Sequence, residues 1–390
     1  MFGRRPDGRR LKKQDPIVQM TPYLMPMRCD AQVFLEHKAD FEKLSRYIVD
    51  KAREGQKITF MQILVAAYVR AISKNPEVNR FIFNKQYYIR NNCSVSYTVL
   101  KDPQDHNSNE TTVRILFDLT DTVYDVRDRM NAAVEQSRAT EDGDFVIRLA
   151  SALLSIPGLA TLIVTLVRLL DKYGIAPRVL IRELPFYSGM FITNNGSIGL
   201  HHPLHHIYNF GDVSLFIGMG SVLKEAYVEP DGRARMRRWL PLGITADERV
   251  CSGAHYAAFF AEVIRLLDNP EELETPPEQV RFEQGVEYHV PKIAEQKRDL
   301  NRERKPTGQE KETYLDSPVY PDQYRRYCRH RGQRVFGDPG RQLSVRLYQT
   351  CAVLPGLHRA LPGGAALRGN AEIPADDEIP RGTGFPPPRL

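Results

Sequence analysis

Between Ile17 and Leu273 the chain carries two hydrophobic periods, and the order in which they alternate limits the folds open to it. A period of two places alternate side chains on one face of a strand, and a period near 3.6 places them on one face of a helix. The segment AQVFLEH, Ala31 to His37, alternates as a strand. The run KITFMQILVAAYVRAISKNPEVN reads as a helix: Thr59 and Gln62 make a capping box, Phe60, Ile63, Leu64, Ala67 and Ala71 share a face, and Pro76 ends it. Strand-like runs follow at Tyr87–Arg90, Ser94–Leu100 and Thr112–Phe117. A helix over Val123 to Arg138 then spaces Val126, Met130 and Val134 by four. Three more β-branched and aromatic runs, FYSGMFITN, VSLFIGMG and RRWLPLGIT, precede a last helix from Gly253 to Leu267. Its inward face is expected to be Ala257, Phe260, Ala261, Ile264 and Leu267. Strands and helices mix without strict alternation. The expected architecture is a two-layer α/β sandwich, with helices packed on a mixed β-sheet.

An apolar share of 42% allows a packed core over residues 16–290. The net charge of +6 is gathered at the ends, with Arg4, Arg5, Arg9, Arg10, Lys12 and Lys13 crowded into one stretch. No aromatic residue interleaves with these cations as a base-stacking surface requires. Residues 1–15 therefore read as a solvated basic arm, and no nucleic-acid partner is expected. Residues 291–390 are charged and then rich in Gly, Pro and Arg, with neither period, and are expected to be disordered. Five cysteines without a C-x-x-C pair argue against a disulfide framework or a zinc site, and no apolar signal core follows the N-terminus. A reducing, cytoplasmic location is expected.

Leu149 to Val167 contains no charge and is about as long as a membrane span. It lies in an apolar helical insert of about residues 145–185. Pro157–Gly158 divides it, and Arg148, Arg168 and Asp171 bound it. Two short buried helices or a hydrophobic contact surface are expected, with membrane-surface contact as the alternative.

Three segments in order carry a resemblance. They are LVAAYVRAISKNPEVNRF; GMFITNNGSIG with the following IYNFGDVSLFIGMGSV; and WLPLGITADERVCSGAHYAAFFAEVIRLLDNPEEL. Together they resemble the catalytic domain of the dihydrolipoyl acyltransferases of 2-oxoacid dehydrogenase complexes, a family that shares its fold with chloramphenicol acetyltransferase. The resemblance implies that fold, coenzyme A or acyl-coenzyme A as substrate, and active sites between the subunits of a homotrimer. In that family a histidine takes the proton from the attacking thiol, and a Ser or Thr hydroxyl stabilises the oxyanion. An aspartate four residues after the histidine holds the turn. Thr193 matches the hydroxyl, Asn209 the asparagine opening the next strand, and Asp247, Arg249 and Gly253 the catalytic turn. The histidine position is Glu248, and the aspartate position is Ser252.

These two departures govern the functional expectation. A carboxyl with a pKa of about 4.3 is a poorer base for a thiol than an imidazole at about 6.5, by roughly two units. A carboxylate also repels a developing oxyanion. Ser252 reads equally as the N-cap of the last helix. Acyl transfer is therefore expected to be altered or lost. The alternatives are an active acyl-coenzyme A-dependent enzyme using Glu248 or a loop histidine as base, and a membrane-surface or scaffold protein. The loop HHPLHH offers His201, His202, His205 and His206 as bases. Its proline fixes no ligand geometry and no Cys or carboxylate completes a set, so no metal is expected. His255 reads as structural. Cys251 is a poor nucleophile, because a neighbouring carboxylate raises its pKa. No lipoyl domain is read in the chain, so a lipoyl-borne acyl group would come from another protein in trans. Free acyl-coenzyme A is the simpler donor.

Overall fold

The computed structural model describes residues 5–100, 110–139, 154–228 and 231–293. Its main sheet has the strand order β2 (Gln32–Asp40), β10 (Ala234–Asp247), β8 (Leu215–Met219), β7 (Met190–Asn194), β5 (Cys93–Leu100), β6 (Glu110–Phe117). A further strand, β9 (Leu223–Val228), pairs with the first half of the long β10. The β5–β7 and β7–β8 pairs are parallel and the others antiparallel. Alternation sends Leu242, Ile244 and Ala246 of β10 and Leu215, Ile217 and Met219 of β8 into one core. Against that face pack helices α2 (Phe41–Arg53), α3 (Phe60–Lys74) and α4 (Val123–Ala139), with the last helix, Gly253–Asp268, beside them. The mixed two-layer sandwich expected from the sequence is the observed fold.

The α3 capping box forms: the Gln62 amide donates to Thr59 Oγ1 at 3.3 Å, and the Thr59 amide donates to Gln62 Oε1 at 3.0 Å. The helix is not amphipathic in place. Every residue from Phe60 to Ser73 except Met61 is buried, because neighbouring helices flank it. The last helix buries Tyr256, Phe259, Val263, Leu266 and Leu267. Of its expected inward face, only Leu267 is buried. The reading was turned by one residue, because Ala257, Phe260 and Ile264 face a cavity rather than the core.

The N-terminal arm is docked, contrary to expectation, although Arg9, Arg10, Lys12 and Lys13 stay exposed as expected. Strand β1 (Gly8–Arg10) pairs with β4 (Gln86–Arg90), which in turn pairs with β3 (Arg80–Phe83), and Leu11 is buried. The Arg5 guanidinium lies inside, bonded to Asp7, Asp171 and Asp212 at 2.6 Å each and stacked near Phe81, Phe83 and Tyr187. Burial opposes its charge, yet the Asp7 hydrogen bond and the fields of the three carboxylates more than offset this and raise its pKa.

The apolar insert also departs from expectation. Residues 140–153 lie outside the described residues. Beyond them, α5 (Leu159–Lys172) has no buried residue, and Leu162 is 65% exposed. The buried-helix reading does not hold for α5; the contact-surface reading fits its exposure. Among the described residues no helix is long and apolar enough to cross a membrane. The expectation for the C-terminal tail falls outside the described residues from 294 onward. The stretch up to Lys292 packs on the domain, through Arg80–Glu283 and a 2.8 Å Lys292–Asp125 ion pair.

Candidate functional site

The turn that leaves β10 is clamped from below. Buried Asp247 accepts hydrogen bonds from the Arg249 amide at 3.1 Å, from Arg249 Nε at 2.8 Å and from Arg249 Nη2 at 2.7 Å. Arg28 Nε lies 3.8 Å from the same carboxylate, and Arg249 Nη1 donates to the Met25 carbonyl at 2.9 Å. The Tyr256 hydroxyl donates to the Asp247 carbonyl at 2.9 Å. Between these anchors Glu248 points outward and is exposed, its amide bonded to the Ala31 carbonyl at 2.9 Å. Asn209 steadies the incoming strand. Its Oδ1 accepts from the Arg28 and Cys29 amides at 2.8 and 3.2 Å. It sits in the loop ahead of β8 rather than opening that strand, which begins only at Leu215.

Ser252 occupies the N-cap position, but its side chain does not cap the backbone. It shares a 2.7 Å hydrogen bond with His255 Nδ1, and both side chains are exposed. Gly253 begins the helix with open space where a Cβ would stand, so no contact within the chain demands glycine there.

Behind the turn, between β2, β10 and the last helix, lies a cavity of about 490 Å³. Val33, Leu35, Leu242, Ile244, Phe260 and Ile264 line it, and Glu248 and Ser252 stand exposed where it meets the turn. Glu36 and His37 line its far end, where burial lowers the pKa of His37 and favours its neutral imidazole. Cys251 also lines the cavity; burial pushes its thiol up to about 12, so it is no thiolate at neutral pH.

Thr193 is the penultimate residue of β7, and its Oγ1 accepts from Asn195 Nδ2 at 3.1 Å. Strand register aligns Thr193 with Gly218, Gly218 with Gly243, and Gly243 with Glu36, in one row across four strands. The glycines admit the histidine loop. A Cβ on Gly243 would meet the Pro203 carbonyl oxygen at 2.5 Å, and one on Gly220 the His202 amide at 2.3 Å. His202 Nε2 comes within 3.6 Å of Glu36, while its buried Nδ1 has no hydrogen-bond partner. His205 stacks on Phe216 with centroids 4.1 Å apart; His201 and His206 are exposed. Among the described residues no group of three or more His, Cys, Asp or Glu is placed to hold a metal ion.

The structure thus gathers Asp247, Arg249, Glu248 and Ser252 in one place, and Thr193, His202 and Glu36 in another. From Gly243 to Glu248 the strand advances ~17 Å, and Thr193 lies two strand spacings (~10 Å) to the side. Within one chain the two sets are therefore roughly 20 Å apart. Glu36, His37 and Arg28 did not emerge from the sequence. The Glu36–His37 pair in a strand was the available signal, and only the register shows where each points.

Residues 187–275 match the model of the family described as 2-oxoacid dehydrogenases acyltransferase (catalytic domain). This part of the chain is related to that acyltransferase domain. No curated protein sequence matches the chain. Solved structures similar to it include a probable dihydrolipoamide acetyltransferase from Listeria monocytogenes, at 12% identity and TM-score 0.43, covering 67% of this chain and 95% of that one. The cubic core of a pyruvate dehydrogenase multienzyme complex aligns at 15% identity and TM-score 0.43, over 67% and 94%. A chloramphenicol acetyltransferase aligns at 13% identity and TM-score 0.41, over 67% and 99%. The Asp247–Arg249 clamp and Glu248 lie within the matched segment.

Proposed function

We propose that this domain is an acyltransferase homologue in which transfer of an acyl group to or from coenzyme A is altered or lost, because Glu248 and Ser252 stand in place of the histidine and aspartate. The observation that carries this reading is the intact Asp247–Arg249 clamp, which presents an exposed carboxylate where the family presents an imidazole. A carboxylate there is a weak base for a thiol and repels the oxyanion it would help to form. Thr193 is the retained oxyanion donor, its hydroxyl proton left available while Asn195 donates to the oxygen. The ~20 Å between Thr193 and Glu248 within one chain supports a homotrimer, in which the turn of one copy meets the hydroxyl of another. Acyl groups would arrive as acyl-coenzyme A, or on a lipoyl-bearing protein in trans.

The test is acyl-coenzyme A turnover followed with a thiol-trapping reagent in wild type, Glu248→Gln and Glu248→His. Wild type and Glu248→Gln should both stay near background, and Glu248→His should rise by about 10²-fold. Coenzyme A should raise the melting temperature of all three. Robust wild-type turnover abolished by Glu248→Gln would refute the reading.

His202 supports a second reading. It shares a sheet face with Thr193 in the same chain and is paired with Glu36, so it is the loop histidine best set to act as base. Wild-type turnover that survives Glu248→Gln but falls with His202→Gln would select it.

A further inference from the structure

We infer that the cavity behind Glu248 accommodates the aliphatic chain of a neutral acyl thioester or ester, longer than acetyl. The inference rests on the proposed function only in placing the carbonyl end of that chain at the Glu248 turn.

Protein interiors hold few voids larger than a water molecule, and a cavity of about 490 Å³ is in the range of small-molecule sites. Its deep wall is hydrocarbon from three sides: Leu242 and Ile244 from the sheet, Leu64 from α3, and Phe260 and Ile264 from the last helix. A void of that lining favours an apolar guest over water. The helix supplies an independent sign. A helix on a domain surface buries one stripe and presents polar residues elsewhere. Here Tyr256, Phe259, Val263 and Leu266 already fill the buried stripe, yet Ala257, Phe260 and Ile264 beside it stay apolar and border the void.

Where the cavity meets the turn, exposed Glu248 and Ser252 select the head of the guest. The Glu248 carboxylate repels the carboxylate of a free fatty acid, whereas a thioester or ester carries no charge and accepts hydrogen bonds. The Ser252 hydroxyl can donate one while its oxygen accepts from His255 Nδ1. The chain is therefore expected to enter in esterified form, hydrocarbon first.

Binding is to be measured calorimetrically on the full chain with acetyl-, butyryl-, octanoyl- and decanoyl-pantetheine, with methyl decanoate, and with decanoate at pH 8. Affinity should rise about fourfold per added methylene until the cavity is full. Methyl decanoate should bind and decanoate should bind at least tenfold more weakly. Ala257→Trp and Ile264→Trp, each checked by thermal unfolding, should flatten the chain-length dependence of affinity. Equal affinity for acetyl and decanoyl forms would overturn the inference, as would a slope that persists in either folded variant. Decanoate binding as tightly as its methyl ester would overturn the esterified-head assignment. No turnover is needed for any arm. An inactive protein that shows the slope retains the inference, and an active Glu248→His variant without it retains only the acyltransferase reading.

Discussion

The Thr193 hydroxyl and the Glu248 carboxylate leave the main sheet at opposite ends, because β10 runs antiparallel to β8 and β8 runs parallel to β7. No side-chain rotation bridges roughly 20 Å, so chemistry that uses both positions needs a second copy of the chain.

The first expectation is therefore of assembly. Light scattering should give a mass near three chains of 44.6 kDa each. Complementation gives the sharper readout. Wild type has the hydroxyl but not the imidazole, and a Thr193→Val, Glu248→His double variant has the reverse. Neither should turn over acyl-coenzyme A alone, while subunits mixed after mild dissociation should regain a measurable part of the Glu248→His rate. A mixture that stays silent beside an active Glu248→His control would place the site within one chain.

The Asp247–Arg249 pair is buried at both ends, with side chains 1% and 3% exposed. Removing one partner strands an ion in the interior, at a cost of about 3–5 kcal/mol. Asp247→Ala should lower stability by that much in urea denaturation, since it also deprives Arg28 of its nearby carboxylate. A loss under about 1 kcal/mol, the range of exposed pairs, would mean that the clamp is solvated in solution.

Glu262 links the last helix to α3. Its carboxylate accepts from Arg265, and from Lys74 at 2.7 Å, and the Arg265 hydrogen bond leads in lowering its pKa to about 2. The folded value lies below the ordinary 4.5, so the unfolded chain binds the proton more tightly. The stability this contributes is complete above the ordinary value and is lost as pH falls toward about 2. The stability gap between wild type and Glu262→Gln should thus be constant above pH ~5 and close progressively below it. A gap that does not change with pH would show that packing, not charge, joins these helices.

Much of the fold was legible because local signals agreed. Thr59 and Gln62 announced α3, and the β-branched and aromatic runs FYSGMFITN and RRWLPLGIT announced β7 and β10. The α2 helix was missed since FEKLSRYIVDKAR is mostly polar. Its signal was the N-cap Asp40, which accepts from the Glu42 and Lys43 amides, and an apolar stripe of Phe41, Leu44 and Ile48. At the site, the motif pointed to Asp247, Glu248 and Arg249 together; Asp247 and Arg249 form the clamp, and Glu248 projects from it to solvent. The closeness of His202 to Glu36 was not legible. It depends on which residues of β2 and β10 pair, and on three glycines that let a loop lie flat. The docking of the N-terminal arm was hidden for a related reason: a run of arginines looks solvated until its buried counter-ions, Asp171 and Asp212, are brought from far along the chain.

That docking turns the first strand into a clasp. Asp212 is tied to Arg90 at 2.8 Å and to Arg5 at 2.6 Å, and Asp171 is tied to Arg5 alone of these two cations. A chain trimmed past Arg5, or one whose fusion partner pulls that end away, would strip Asp7 and Asp171 of the guanidinium that bonds them and leave Asp212 to Arg90. What composition presents as a solvated arm supplies, in the folded molecule, the cation on which three acids from distant parts of the chain close.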